Sequence, residues 1–321
     1  MLDTLKFVRG AVAAKDFVPA LTHFQIANGF IKGYNGSIGL CSPIELDLDV
    51  KPRAAQFIKA IQTCKSTVQL SLTTNGRLSI KSGAFKAFIN CIEEDFPDIK
   101  PSGEVVQLDG KLLRAIKVLN KFIAEDASRP WARGILFRGP SAFATNNIVI
   151  LEYWLGYNFP IEVNIPKAAI QEMVRINEEP THLQMDETSV TFHYSGDRWL
   201  KTQIYTTEWP DLSKALGREC NPTPLPEGFF EALESLVPFV DEFSSLYLSN
   251  NKLSTGTIEE SGFSVEVPGI VSESRFNIKH MQLLDGVAKL IDLTLHPSPC
   301  LFFGDNVRGA IVGMREVVAL K

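Results

Sequence analysis

Pro52-Arg53-Ala54-Ala55 and Pro166-Lys167-Ala168-Ala169 stand 114 residues apart, and each opens a segment with helical periodicity. Phe96-Pro97-Asp98, preceded by Glu93, Glu94 and Asp95, has a counterpart 113 residues on in Trp209-Pro210-Asp211, preceded by Glu208. A third helical segment begins near Asn277, 111 residues after Pro166. Proline followed by helix formers is a common helix start. The shared offset is what chance explains poorly, and it predicts three copies of one unit. The 321 residues then divide into domains at 1–103, 104–212 and 213–321.

Each copy reads alike. In the first, the pattern predicts a strand over 5–12, a helix over 14–27, hairpin turns at Gly33, Gly36 and Gly39, and a helix over 52–64. Strands follow over 68–72, 78–81 and 84–91, separated by Asn75-Gly76 and Ser82-Gly83, the first a strong hairpin signal. The second copy predicts a helix over 111–124 with Asp109 as its N-cap, strands over 135–137 and 148–154, a helix over 166–176, and strands over 190–194 and 201–205. In the third, helices start at Pro226 and Asn277, with strands over 244–248, 263–267, 300–303 and 309–314. Two helices among many antiparallel strands per unit make an α+β architecture.

The net charge of −5 excludes a diffuse basic surface, so any contact with nucleic acid is local. By domain the balance runs from +3 through −3 to −5. Lys111, Arg114, Lys117 and Lys121 fall within about 120° of one another on a helical wheel, opposite Leu112, Leu113, Ile116, Leu119 and Ile123. Lys167, Gln171 and Arg175 stand at i, i+4, i+8, and the equivalent first-copy helix turns Gln56, Lys59 and Gln62 away from Phe57, Ile58 and Ile61. On the third, Lys279, Gln282 and Lys289 are expected on the polar side. Such faces are either simply solvated or suited to phosphates; lacking aromatics, they suit sequence-blind backbone contact. The helix from Pro226 is an exception, with Glu227, Glu231 and Glu234.

Motifs for chemistry are missing. The five histidines form no metal-binding spacing and are expected to be structural. Asp47 and Asp49 would share a strand face, more in keeping with a solvated edge than with a Mg²⁺ site. There is no phosphate-binding glycine loop and no nucleophile elbow. No catalytic residue, metal or cofactor is expected. Five scattered cysteines without a C-x-x-C pair argue for a reducing, cytoplasmic setting, and no segment is apolar enough to span a membrane.

Several stretches carry a resemblance: Gly83-Ala84-Phe85 through Phe96-Pro97-Asp98; Gly134-Ile135-Leu136-Phe137 followed by Phe143-Ala144-Thr145-Asn146-Asn147; Trp209-Pro210-Asp211-Leu212; Phe276-Asn277; and Ile311-Val312-Gly313-Met314-Arg315. Together with the repeat, they resemble the bacterial DNA polymerase III beta subunit, the sliding clamp. That resemblance implies three clamp domains per chain, two chains closed head to tail into a ring around duplex DNA, and a non-catalytic processivity factor for DNA replication. The helix cations Lys59, Lys111, Arg114, Lys117, Lys121, Lys167, Arg175, Lys279 and Lys289 would then face the DNA. It also implies a pocket for short apolar peptides of the polymerase and clamp loader, at Thr145, Pro210, Lys214, Ala215, Ile311, Val312, Met314 and Arg315. The sequence departs from the family pattern where Asn146-Asn147 replace Asp-Gly, Ile148-Val149 replace His-Arg, and Gly313 replaces Pro, and six residues follow Arg315. Two rival readings stand beside it: a repeat-built nucleic-acid enzyme, and a monomeric clamp-like regulator.

Overall fold

A computed structural model describes residues 1–126, 128–256 and 262–315; the six residues after Arg315 lie outside it. The chain forms two compact units, Met1–Leu113 with Val163–Thr206, and Arg114–Glu162 with Thr207–Lys321. Along the chain, the order helix, strand hairpin, helix, strand meander recurs three times.

In the first unit seven antiparallel strands run in the order Gln25–Ala27, Phe30–Tyr34, Ile38–Pro43, Arg198–Gln203, Ser189–Tyr194, His182–Met185 and Glu104–Gln107. The sheet is continuous because Ile38–Pro43 pairs with Arg198–Gln203, setting Leu40 opposite Leu200 and Gly39 opposite Lys201. One cross-strand row, Leu40, Leu200, Phe192 and Leu183, is wholly buried under helices Leu2–Val8 and Lys167–Ile176. The alternate row, on the opposite face, holds Lys32, Cys41, Trp199, His193 and His182. Strands Gln69–Leu72, Leu78–Ser82 and Phe85–Ile89 form a separate sheet.

The second unit repeats this arrangement. Gly134–Arg138, Ser141–Thr145 and Val149–Trp154 are extended by Val307–Ile311, Cys300–Gly304, Leu290–Ile291 and Thr223–Pro224. Here Ile150 faces Ala310, and Leu151 faces Gly309. A four-stranded sheet joins Ser264–Glu266, Lys252–Ser254, Ser245–Ser249 and Ser274–Asn277. One side chain makes the same turn in both units: Asn35 Oδ1 accepts from the Ser37 and Ile38 amides, and Asn146 Oδ1 accepts from those of Ile148 and Val149.

Several expectations are corrected. Residues 5–12 form no strand: Leu2–Val8 is a helix continued by the turn Arg9–Ala11. Buried Leu5, Val8 and Ala11 recur at helical spacing. The segment 14–27 is no helix but a turn, Pro19–Thr22, leading into a strand; Pro19 opens that turn. Of the three glycines read as turns, only Gly36 lies in one, at φ +92°, whereas Gly33 and Gly39 sit in strands. Asp47 and Asp49 lie in irregular chain rather than on a strand. Asp109 does not supply the cap read for it: the amides of Leu112 and Leu113 donate to the Glu179 carboxylate, at 3.0 and 3.1 Å. A carboxylate at a helix N-terminus offsets its positive end, and one from 66 residues away does so equally well.

Gly103 precedes the edge strand Glu104–Gln107 at φ +92°, and a Cβ there would lie 1.8 Å from the Met185 carbonyl oxygen. Neither the conformation nor the space admits a side chain. Gly103→Ala is expected to cost at least about 1–3 kcal/mol, read as a lower denaturant midpoint with unchanged slope.

Candidate functional site

The cations read from the helical wheels are distributed over both units. In the first, helix Ala54–Thr63 buries Phe57, Ile58 and Ile61 and exposes Gln56, Lys59 and Gln62. Lys111 is exposed just ahead of helix Leu113–Leu119. Lys167 is half-buried. Arg175 is engaged internally: its guanidinium donates to the Lys6 and Phe7 carbonyl oxygens at 3.0 and 2.6 Å, and it pairs with Glu172. It therefore caps the C-terminus of Leu2–Val8.

In the second unit Arg114 and Lys117 are exposed on the helix, and Lys121 on the turn Asn120–Phe122 that follows it. The helix is shorter than its periodicity suggested. Lys279 is exposed on Ile278–Gln282, whose N-cap Asn277 accepts from the Lys279 amide. That helix ends at Gln282, so Lys289 is not on it as expected. Its ammonium donates to both Asp305 carboxylate oxygens at 2.7 Å. Lys289, with Arg114 further away, holds the Asp305 carboxyl below the usual carboxylate range. Glu227, Glu231 and Glu234 remain exposed.

The peptide-pocket candidates all belong to the second unit, and most of them are connected. The Thr145 hydroxyl donates to the Val149 carbonyl oxygen (2.8 Å) and accepts from the Asn147 amide (3.0 Å). It is thus buried in the turn and shapes the rim. The Val312 amide donates to the Ile148 carbonyl oxygen, and the Met314 amide to that of Arg275, at 2.9 and 2.7 Å. Lys214 and Ala215 lie on helix Ser213–Leu216, which packs on strand Val307–Ile311. Pro210 is exposed ahead of it. Ile311 is fully buried, whereas Val312, 39% exposed, and half-buried Met314 are accessible apolar groups. Arg315 is exposed at the edge.

Sequence reasoning missed an apolar cluster beside these candidates. Leu216, Leu301 and Ala310 form a buried cluster on which half-buried Phe143, Ile150 and Leu212 pack. The signals were present: Leu212 and Leu216 stand at i, i+4 around Lys214 and Ala215, and Ile150 alternates with Val149 and Leu151. Asn146 also has a second partner. Its Oδ1 is taken by two amides, so Nδ2 is the atom that donates to His280 Nδ1, at 3.2 Å. His280 is thereby the Nε2–H tautomer.

No protein family and no curated protein matches the chain by sequence. Solved structures match it along nearly its whole length. The DNA polymerase sliding clamp of Bacillus subtilis is 16% identical with a TM-score of 0.82, covering 98% of this chain and 97% of that one. The Pseudomonas aeruginosa sliding clamp reaches 0.83 at 17% identity, with the same coverage. The Helicobacter pylori beta clamp bound to a DNA ligase peptide gives 0.80 at 17%, again over 98% and 97%. The fold is that of the sliding clamps.

Among the described residues of this clamp fold, no group of three or more His, Cys, Asp or Glu side chains is placed to hold a metal, and no helix is long and apolar enough to cross a membrane. All five cysteines are free, and burial raises the Cys41 thiol to about 12.

Burial depresses His23, His193 and His280 below their ordinary 6.5, with the stacked His182 ring adding to the effect at His193 and Lys279 to that at His280. An imidazole harder to protonate when folded favours the unfolded chain as pH falls below 6.5. The thermal midpoint is expected to decline from pH 7.5 to pH 5.5, before the carboxylates titrate. His193→Gln should flatten that decline; a midpoint constant across the interval would contradict it.

Proposed function

We propose that this chain is a processivity factor for a DNA polymerase: a three-domain half-ring, divided at 1–103, 104–212 and 213–321, that closes with a second copy around duplex DNA and slides without reading sequence. The observation that carries the reading is the whole-chain likeness to bacterial sliding clamps at TM-scores of 0.80 to 0.83. The cations fit it. Lys59, Lys111, Arg114, Lys117, Lys121, Lys167 and Lys279 act on the DNA phosphates, together with Arg175 and Lys289. Loose contacts with phosphates leave the ring free to move.

Ring closure has support in two surfaces of opposite charge. Residues 50–92 carry Lys51, Arg53, Lys59, Lys65, Arg77, Lys81 and Lys86 and no acid. Residues 219–251 carry Glu219, Glu227, Glu231, Glu234, Asp241 and Glu242 and no base. Each also exposes apolar groups: Leu72 and Phe88, on the two outer strands of a three-stranded sheet, at 50% and 49% in the first, Phe239 and Phe243 at 47% and 59% in the second, with Phe263 stacked on Phe239 at 4.1 Å. Different, complementary patches are what a head-to-tail contact requires. The acids that fit a phosphate lining poorly thus find a use at the closure. Thr145, Pro210, Lys214, Ala215, Ile311, Val312, Met314 and Arg315 we assign to a pocket for short apolar peptides of polymerase and clamp loader, supported by the DNA ligase peptide on the H. pylori clamp.

The test is retention on DNA after loading. The dimer is expected to stay on nicked circular DNA and to run off once the circle is cut; equal retention on both would overturn enclosure. Phe88→Glu should yield monomers by light scattering and lose the difference between circle and line. Lys111, Arg114, Lys117 and Lys121 changed together to Ala should leave the dimer intact, shorten retention, and lower its salt slope by about 1 for each phosphate no longer neutralised.

A further inference from the structure

The segment Val312–Arg315 leaves the sheet at its last strand residue, Ile311, and so lacks a ladder to hold it. Its main-chain anchor within the strand pair is the Val312 amide on Ile148. The Met314 amide also donates to the Arg275 carbonyl oxygen at 2.7 Å, and a side chain adds to these anchors. His296 Nε2 lies 3.1 Å from the Met314 carbonyl oxygen, 3.1 Å from the Arg275 amide and 3.1 Å from the Arg275 carbonyl oxygen. With or without its proton, that nitrogen finds a partner. The ring stands edge-on to Phe276, with centroids 5.6 Å apart, and Phe276 is wholly buried, so the imidazole rests on a rigid base.

Gly313 belongs to the same arrangement. A Cβ there would fall 2.3 Å from His296 Cδ2 and 2.8 Å from Nε2. The imidazole occupies the space that any larger residue at 313 needs. Glycine is the most flexible residue in a segment that must present Val312 and Met314, and a flexible lip costs affinity through the order it must gain on binding.

We propose that His296 is a positioning residue of the peptide pocket: together with the Met314 amide bond to Arg275 it clamps the Met314 carbonyl against the Ser274–Asn277 strand, steadies the lip on the far side of Gly313, and makes Gly313 obligatory. The inference rests on the pocket assignment given above. It names a determinant of affinity outside the set of contacting residues, one that acts through main chain.

The experiment uses the full-length chain and the labelled DNA ligase peptide of the H. pylori complex as probe. His296→Ala is expected to raise the dissociation constant about tenfold, mainly through faster release. His296→Gln, whose amide reaches the same groups, should recover most of the loss. Gly313→Ala should weaken binding in the parent and do nothing further in His296→Ala. Hydrogen exchange over the segment holding Met314 should quicken in His296→Ala without peptide. Unchanged affinity and exchange in a folded His296→Ala variant would overturn the inference while leaving the pocket standing. Strictly additive losses for His296→Ala and Gly313→Ala would overturn the pairing of the two. No peptide binding by the parent chain would overturn the pocket and the inference together, whereas loss on Met314→Glu alone would uphold only the pocket.

Discussion

Two backbone ladders set the terms for everything else. Ile38–Pro43 bonds to Arg198–Gln203, and Val149–Trp154 to Val307–Ile311, joining strands more than 150 residues apart in sequence. Each ladder removes a pair of open edges whose amides and carbonyls would otherwise need water or a foreign strand. Each also fixes a register, and in a sheet a slip of one residue exchanges the buried face for the exposed one. The helices can pack only after that choice, because Leu40, Leu200, Phe192 and Leu183 present a continuous apolar row only in this register. Helix Leu2–Val8 is then held at its C-terminus by Arg175, and the first turn of the basic helix by Glu179, from separate parts of the chain.

Charge in this protein divides between structure and surface. Lys32 donates to the Ile99 carbonyl oxygen, and Lys201 to the Lys100 carbonyl and Ser102 hydroxyl. With Arg175, these are cations committed to internal order, since a charged donor on a carbonyl is stronger than a neutral one. What remains exposed on helices is a smaller set. Bases are segregated into residues 50–92 and acids into 219–251, so a chain of modest net charge holds two stretches of opposite sign.

Much of this was legible in the sequence because the repeat made it so. The offset of about 111 to 114 residues appears again in the paired turns of Asn35 and Asn146 and in the helices Ala54–Thr63 and Lys167–Ile176. Misreadings fell where the local signal and the tertiary one differed. The segment from Leu5 to Val12 is rich in Phe and Val, which favours a strand reading, yet its burial follows a helical period because a sheet covers one side only. Asp109 was the nearest carboxylate to the basic helix, and caps from Glu179 leave no mark at short range. His280 and His296 have no motif, since their partners are Asn146 and main-chain groups of Arg275 and Met314 brought together by folding. Ile150, Leu212 and Leu216 were readable as apolar, but not as parts of one cluster.

The two ladders also explain why the apolar recess sits beside one of them. Matched through the hairpin registers, Lys32, Gly39 and Lys201 at the first correspond to Phe143, Ile150 and Ala310 at the second. At the first, a Cβ on Gly39 would lie 2.8 Å from Ile99 Cδ1, so Ile99 lies close over the bare backbone, and two lysines tie the chain around it through its carbonyls. The surface there is sealed by the protein's own segment. At the second, Ile150 supplies the side chain that Gly39 lacks, and the chain following the matching Trp209-Pro210-Asp211 coils into helix Ser213–Leu216 rather than lying flat. Leu212, equivalent to Ile99 by the 113-residue offset, is left half-buried beside Ile150 and Phe143. A glycine with two lysines closes one copy of the junction; an isoleucine, a phenylalanine and an alanine at the same three positions give the other an apolar floor.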